Sequence, residues 1–211
     1  YPFAAVEIGT QLDAGNPLWP LLAPLTQYLA RCQTVLQQGR AVVPVAVLMP
    51  PEFFAFDSAA DRLSPPPWHQ ALQDAGLDWD WINGDTLQAA GLEHGALVVP
   101  GGQRYAAVLL PGIDALPAEV AERLAACADA GVVVRCTDRV PQREAGLHDH
   151  AACDRRVQAA MARALQAAPQ PLAPSAIGRH LRAAGVAPAL DLPAGHGLAF
   201  HVRTDGEAQC W

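Results

Sequence analysis

The sequence predicts an α/β fold: a mainly parallel sheet covered by helices on both faces, a three-layer α/β/α arrangement. Short strand-length runs recur at 42–49, 78–82, 106–110 and 132–136; all but 78–82, where aspartate alternates with tryptophan, are mostly apolar. Near-continuous apolar runs suit strands buried on both faces, and these four are expected to be central. Stretches with helical spacing alternate with them. Glycines close several of those stretches, at Gly39, Gly76 and Gly131, where a helix C-terminus favours a left-handed residue.

Residues 1–20 are irregular and rich in Gly and Pro, and read as a loop or as the remnant of a preceding domain. Residues 21–211 then form the α/β domain. Leu22, Leu25, Tyr28, Leu29, Cys32, Val35 and Leu36 repeat at three and four, predicting a helix over 21–39. "VVPVAVLM" is the first buried strand. "PPEFFAFDSAADRLSPPP" is a long loop of the kind that lines sites at the C-terminal ends of strands in open α/β sheets. A short helix is predicted over 68–75.

"LDWDWINGDTLQ" reads as a strand through Ile82, a turn at Asn83-Gly84, and a capping box in which Asp85 and Gln88 bond each other's backbone. Next come a small hairpin turning at Gly101-Gly102, a strand over 106–110, a helix from Pro117 and the strand "VVVRC". Helices over 151–167 and 174–184 follow, and a terminal hairpin turns at Asp205-Gly206.

The chain has 211 residues and a formal net charge of −7. Its few clusters of Lys or Arg argue against the basic face that nucleic acid or an anionic membrane requires. No apolar run approaches the roughly 20 residues of a membrane span. The first residue is Tyr1 and the last, Trp211, follows a strand turn, so a piece of a longer chain is expected. Five scattered cysteines (32, 127, 136, 153 and 210) without a CxxC argue against a disulfide framework.

Asp78 and Asp80 share one side of a strand, about 7 Å apart, a spacing open to a carboxylate pair. The same alternation arises in a half-exposed strand with Leu77, Trp79 and Trp81 inward and the carboxylates outward, and that is the favoured reading. Asn83 and Asp85 are explained by turn and cap chemistry. All four remain candidates for a domain interface or the rim of a sugar site. So do Trp19, which precedes the first helix, and Tyr28, whose place on the apolar face favours burial against the sheet or a missing partner. Cys136 ends a strand where a nucleophile could stand, with His180 or His196 as partner. Its neighbours Arg135 and Thr137 do not suit a nucleophile elbow, which wants small residues. "HDHAAC", 148–153, offers zinc-type ligands without a second pair and reads as a solvated loop entering a helix. "PGGQRY" lacks the strand–glycine–helix context of a nucleotide site. No cofactor is expected.

Across 19–139, "WPLLAPLTQYLARCQTVLQQGRAVVPVAVLMP", "LDWDWINGDTL" and "YAAVLLPGIDALPAEVAERLAACADAGVVV" follow one another in an order that resembles glycoside hydrolase family 106, the α-L-rhamnosidase family. The terminal hairpin fits the same order, whereas 140–195 matches poorly. The similar region there is the flavodoxin-like, glutamine-amidotransferase-like domain that follows the catalytic barrel. The resemblance implies a glycoside-hydrolysing parent that binds carbohydrate and carries its paired catalytic carboxylates upstream of this chain. Glu7 and Asp13 are the only acids of residues 1–20 and are given no catalytic role. The chain itself is expected to be a non-catalytic domain whose partner is the missing barrel, with self-association through the first helix when that partner is absent.

Overall fold

The computed structural model describes residues 13–49, 66–146, 149–193, 199–205 and 209–210. The chain divides into two compact units, Tyr1–Arg40 with Arg203–Cys210, and Ala41–Val202 with Trp211. The predicted loop after the first buried strand falls, but for its last two prolines, in 50–65, outside the described residues.

The first unit is built on α1 (Trp19–Leu36). It starts two residues earlier than the apolar periodicity predicts, so Trp19 is on the helix rather than ahead of it. Pro20 suits its first turn, where a missing N–H costs nothing. After Gly39 (φ 61°) comes β1 (Arg40–Ala41). A Cβ on Gly39 would meet the Thr204 carbonyl oxygen at 2.4 Å, so the turn is glycine for two reasons. The Arg203 guanidinium donates to the Gln38 and Gly39 carbonyls.

The second unit holds a four-stranded parallel sheet. Its strands are β2 (Val45–Leu48), β3 (Trp79–Ile82), β7 (Ala107–Pro111) and β8 (Val133–Thr137), in the order β3-β2-β7-β8. Val45 pairs with Trp79 on one side and Ala107 on the other, and Ala107 pairs with Val133. All four predicted runs are strands of this sheet. Only β2 and β7 are interior among the described residues; β3 and β8 flank them.

Alternate residues of each strand enter different cores. Ala46, Leu48, Ile82, Val108, Leu110, Val134 and Cys136 belong to one cluster. It includes Leu87 of α3 (Gly84–Ala89), Leu124 of α4 (Ala118–Asp129), and Val157 and Met161 of α5 (His150–Ala164). Val45, Val47, Ala107 and Leu109 belong to the other, with Trp68 and Leu72 of α2 (Pro67–Asp74) and Ile177 and Leu181 of α6 (Ile177–Ala183). A strand buried on both faces has no polar side, which is why the interior strands β2 and β7 read as continuously apolar.

Two local expectations change. Between α3 and β7 the sequence suggests one hairpin; the structure has a three-stranded antiparallel meander of β4 (Gly91–Glu93), β5 (Ala96–Val98) and β6 (Arg104–Tyr105). Its first turn is His94-Gly95, both at positive φ (49° and 74°), the conformation a two-residue hairpin requires. The second is the expected glycine turn, with Gly102 N–H donating to Val99 O at 2.8 Å. The cap of α3 also differs. Asn83, not Asp85, is the N-cap, accepting from Thr86 N–H at 2.8 Å. Gln88 donates instead to the Glu119 carbonyl. The helix begins two residues earlier than the capping box requires, so the cap moves with it.

At the end of the chain, β9 (Arg203–Thr204) and β10 (Gln209–Cys210) pair antiparallel, the predicted hairpin; β1 borders β9. The expected turn residue Gly206 lies outside the described residues.

Candidate functional site

The residues singled out on β3 do not converge on one cleft. Asp78 immediately precedes the strand and Asp80 lies within it, both toward the N-terminal ends of the parallel strands. Asn83 and Asp85 lie beyond its C-terminal end, about 13 Å of strand rise further on. Trp19 and Tyr28 belong to α1 in the other unit. Trp19 is 47% and Tyr28 56% exposed.

Both carboxylates are occupied. Asp78 Oδ2 lies 2.7 Å from His201 Nδ1, and Asp78 Oδ1 accepts from Trp79 N–H at 2.9 Å. Burial pushes the Asp78 carboxyl above its ordinary value, and its hydrogen bonds to His201 and Trp79 only partly oppose this. Asp80 Oδ2 accepts from the Tyr105 hydroxyl at 3.0 Å. Tyr105 is buried, and burial together with the Asp80 charge raises its phenol well above the usual tyrosine range. The expectation that these carboxylates simply face water is replaced by two buried or half-buried polar pairs.

On the other side of β3, Trp79 and Trp81 pack edge-to-face with each other at 5.3 Å between centroids, and with Trp68 at 4.9 and 5.6 Å. His69 adds a fourth ring, 5.5 Å from Trp79. Edge-to-face packing uses the ring faces against one another, so the tryptophans brace α2 on the sheet. Tyr105, His201 and Trp68 were not legible as partners. His201 lies 123 residues from Asp78, and nothing local marks the pair.

Cys136 lies within β8 and is 2% exposed. Burial pushes its thiol up to about 12, with the Arg135 charge opposing it. The left-handed residue after β8 is Asp138 (φ 63°), so the thiol sits on regular strand rather than at a strained elbow. His180 is exposed on α6; His196 lies outside the described residues. In 148–153, His148 also lies outside them, and α5 begins at His150, as a loop entering a helix there predicts. Among the described residues no three His, Cys, Asp or Glu side chains are grouped to hold a metal ion. Asp13 accepts from Gly15 N–H in a local turn.

The order of strands and helices can be compared with known proteins. The glycoside hydrolase family 106 model, described as alpha-L-rhamnosidase, matches residues 3–211. This chain belongs to the α-L-rhamnosidase family. The rhamnosidase structure from Novosphingobium sp. PP1Y superimposes with a TM-score of 0.63 at 22% identity, over 95% of this chain and 20% of that one. At that identity the likeness speaks to fold. A "Putative beta-glucuronidase" of Formosa agariphila is 25% identical over 150 residues, 71% of this chain and 12% of that protein. The family member described here thus spans a fifth or less of the length of these relatives.

Proposed function

We propose that this chain is a non-catalytic accessory domain of a longer rhamnosidase-like glycoside hydrolase, and that the O-glycosidic bond is cleaved on a barrel elsewhere in that protein. The observation that carries this reading is the occupation of Asp78 and Asp80. Glycoside hydrolysis needs two carboxyl groups flanking the bond and free to exchange protons or bond the sugar. Here each carboxylate is committed to a partner that holds the fold together, and both lie toward the N-terminal ends of the strands. Open α/β sheets bind ligands at the opposite ends.

The finer fold assignment belongs to the same proposal. A parallel sheet in the order β3-β2-β7-β8, with helical cores on both faces, has its first strand between its second and third, as in flavodoxin-like three-layer sheets. We read it as a glutamine-amidotransferase-like domain whose sheet no longer carries a nucleophile. The raised pKa and burial of Cys136 support that, since the thiolate is the reactive form. Carbohydrate binding is then a property of the longer protein.

The test is turnover of aryl α-L-rhamnosides by the 211-residue chain and by the full-length protein. The expected result is activity in the latter alone, retained in Cys136→Ser. Hydrolysis by the isolated chain, or abolition of activity by Cys136→Ser in a folded protein, overturns the reading.

A further inference from the structure

The chain has two asparagines, Asn16 and Asn83. Asn16 precedes Pro17, whose nitrogen carries no hydrogen. Asn83 precedes Gly84, whose nitrogen has no Cβ beside it to hinder attack. A backbone nitrogen so placed can attack the side-chain carboxamide of the asparagine before it. The bond from Gly84 N to Asn83 Cγ forms as the Cγ–Nδ2 bond breaks. Gly84 N gives its proton to solvent, and the departing nitrogen takes one up and leaves as ammonia. Water then opens the five-membered imide at either carbonyl, leaving an aspartyl or an isoaspartyl residue.

In the folded chain this pair is held away from reaction. Asn83 is exposed but fixed as the N-cap of α3. Its Oδ1 accepts from Thr86 N–H at 2.8 Å, and its ψ is 174°, extended. Ring closure needs rotation about both χ1 and ψ to bring the carboxamide carbon onto Gly84 N. Rotation about χ1 breaks the bond to Thr86. Rotation about ψ swings α3 relative to β3, and both ends resist. Ile82 is paired with Leu48 in the sheet. Leu87 of α3 is fully buried, and the Arg123 guanidinium of α4 donates to the Leu87 and Ala90 carbonyls. The Gly84 N–H has no partner among the described residues, as the first donors of a helix do not. The nitrogen is therefore available whenever the helix lets go.

We propose that Asn83-Gly84 is a spontaneous deamidation site gated by α3. The pair reacts while α3 is detached, and the product decides whether the helix returns. An aspartyl residue caps as well as asparagine and adds a negative charge at a helix N-terminus, where it is favourable. An isoaspartyl residue routes the main chain through the side chain, inserts an extra carbon between β3 and α3, and takes the capping oxygen off its position. The reaction is one-way, so the site records how often α3 has opened.

The 211-residue chain and a synthetic peptide of residues 77–92 are to be incubated in the same mildly alkaline buffer. Peptide mass spectrometry reads the exchange of NH2 for OH at Asn83, and chromatography separates the two products. A single short helix is not stable alone in water, so the peptide gives the ungated rate. The expected rate in the folded chain is at least about tenfold lower. It should equal the peptide rate multiplied by the open fraction that hydrogen exchange at the Thr86 and Leu87 N–H groups reports. Leu87→Ala should move the folded rate toward that of the peptide. Asn83→Ser keeps a cap and should show no conversion. Thr86 N–H should stay protected in the aspartyl fraction and lose protection in the isoaspartyl one. Equal rates in chain and peptide overturn the proposal. So does a folded rate, zero included, that departs from the product of peptide rate and open fraction. Both are read on the unsubstituted chain and stand whether or not Leu87→Ala folds. Intact Thr86 protection in the isoaspartyl fraction overturns the claim that this product leaves α3 undone.

Discussion

His201 Nδ1 meets Asp78 Oδ2 at 2.7 Å across 123 residues of sequence. The segment that carries His201 also supplies the Val202 carbonyl to Val42 N–H at 2.8 Å. One side-chain pair and one backbone bond therefore fasten the end of the second unit to the start of its sheet. The Asp78 side chain is 16% exposed and that of His201 36%, so the carboxylate bears most of the desolvation.

That asymmetry sets the pH dependence. Asp78 has a raised pKa in the folded chain, with burial the main cause. A raised carboxyl favours the protonated fold, so its contribution is fully present below the unfolded value near 3.8 and is lost as pH rises through the folded value. Asp78→Asn removes this titration. The stability of wild type relative to Asp78→Asn should fall between about pH 4 and the upper carboxylate range. Urea denaturation of both proteins at several pH values measures it; a difference that stays flat or grows with pH contradicts the assignment.

Tyr105→Phe should cost about 1.5–2 kcal/mol, because it strips Asp80 of a charge-directed hydrogen bond in a half-buried place. The chain has three tyrosines. Ultraviolet titration should show one phenol that ionises only at the alkaline limit and is missing from Tyr105→Phe. A double-mutant cycle with Asp80→Asn should recover a coupling near that magnitude, and additivity would exclude the bond.

Asn83→Ala should destabilise the chain by about 1 kcal/mol through loss of the N-cap. Asp85→Ala should cost only a few tenths, the worth of an exposed acid in a first helical turn. Thermal or chemical denaturation ranks the two, and the opposite order would restore the capping box at Asp85.

A Cβ on Gly178 would sit 2.1 Å from Ala71 O and 2.7 Å from Ala75 Cβ, so α6 approaches α2 through a hole where a side chain would be. Gly178→Ala should cost about 2–3 kcal/mol by overpacking. Gly185, at φ 90°, has nothing within 4 Å of the added atom. Gly185→Ala should therefore carry only backbone strain, about 1 kcal/mol or a little more. Equal losses would mean that α6 yields where the close approach says it cannot.

Element types were legible in the sequence because they follow from local periodicity. Runs such as "VAVL" have no polar face and sit between helical stretches, which leaves a parallel sheet covered on both sides as the consistent arrangement. The aromatic-aspartate alternation before Asn83-Gly-Asp was legible as a strand ending in a cap. The capping residue was not, since Asn83 and Asp85 both satisfy the local chemistry and only the start of α3 chooses between them. His94-Gly95 carries none of the Asn-Gly, Asp-Gly or Gly-Gly pairs that mark a two-residue hairpin in sequence.

The partners of the carboxylates were decided by tertiary structure alone. Alternation along β3 says that Asp78 and Asp80 share a side. It carries no information about which distant chain packs there, and the contacts come from Tyr105, 25 residues on, and His201, 123 residues on. The same holds for α1. Its sequence determined a helix with apolar residues recurring at three and four, because spacing on a helix is a local property. What tertiary structure alone decided there is the turn after the helix, where Gly39 at φ 61° lies against the distant Thr204 carbonyl.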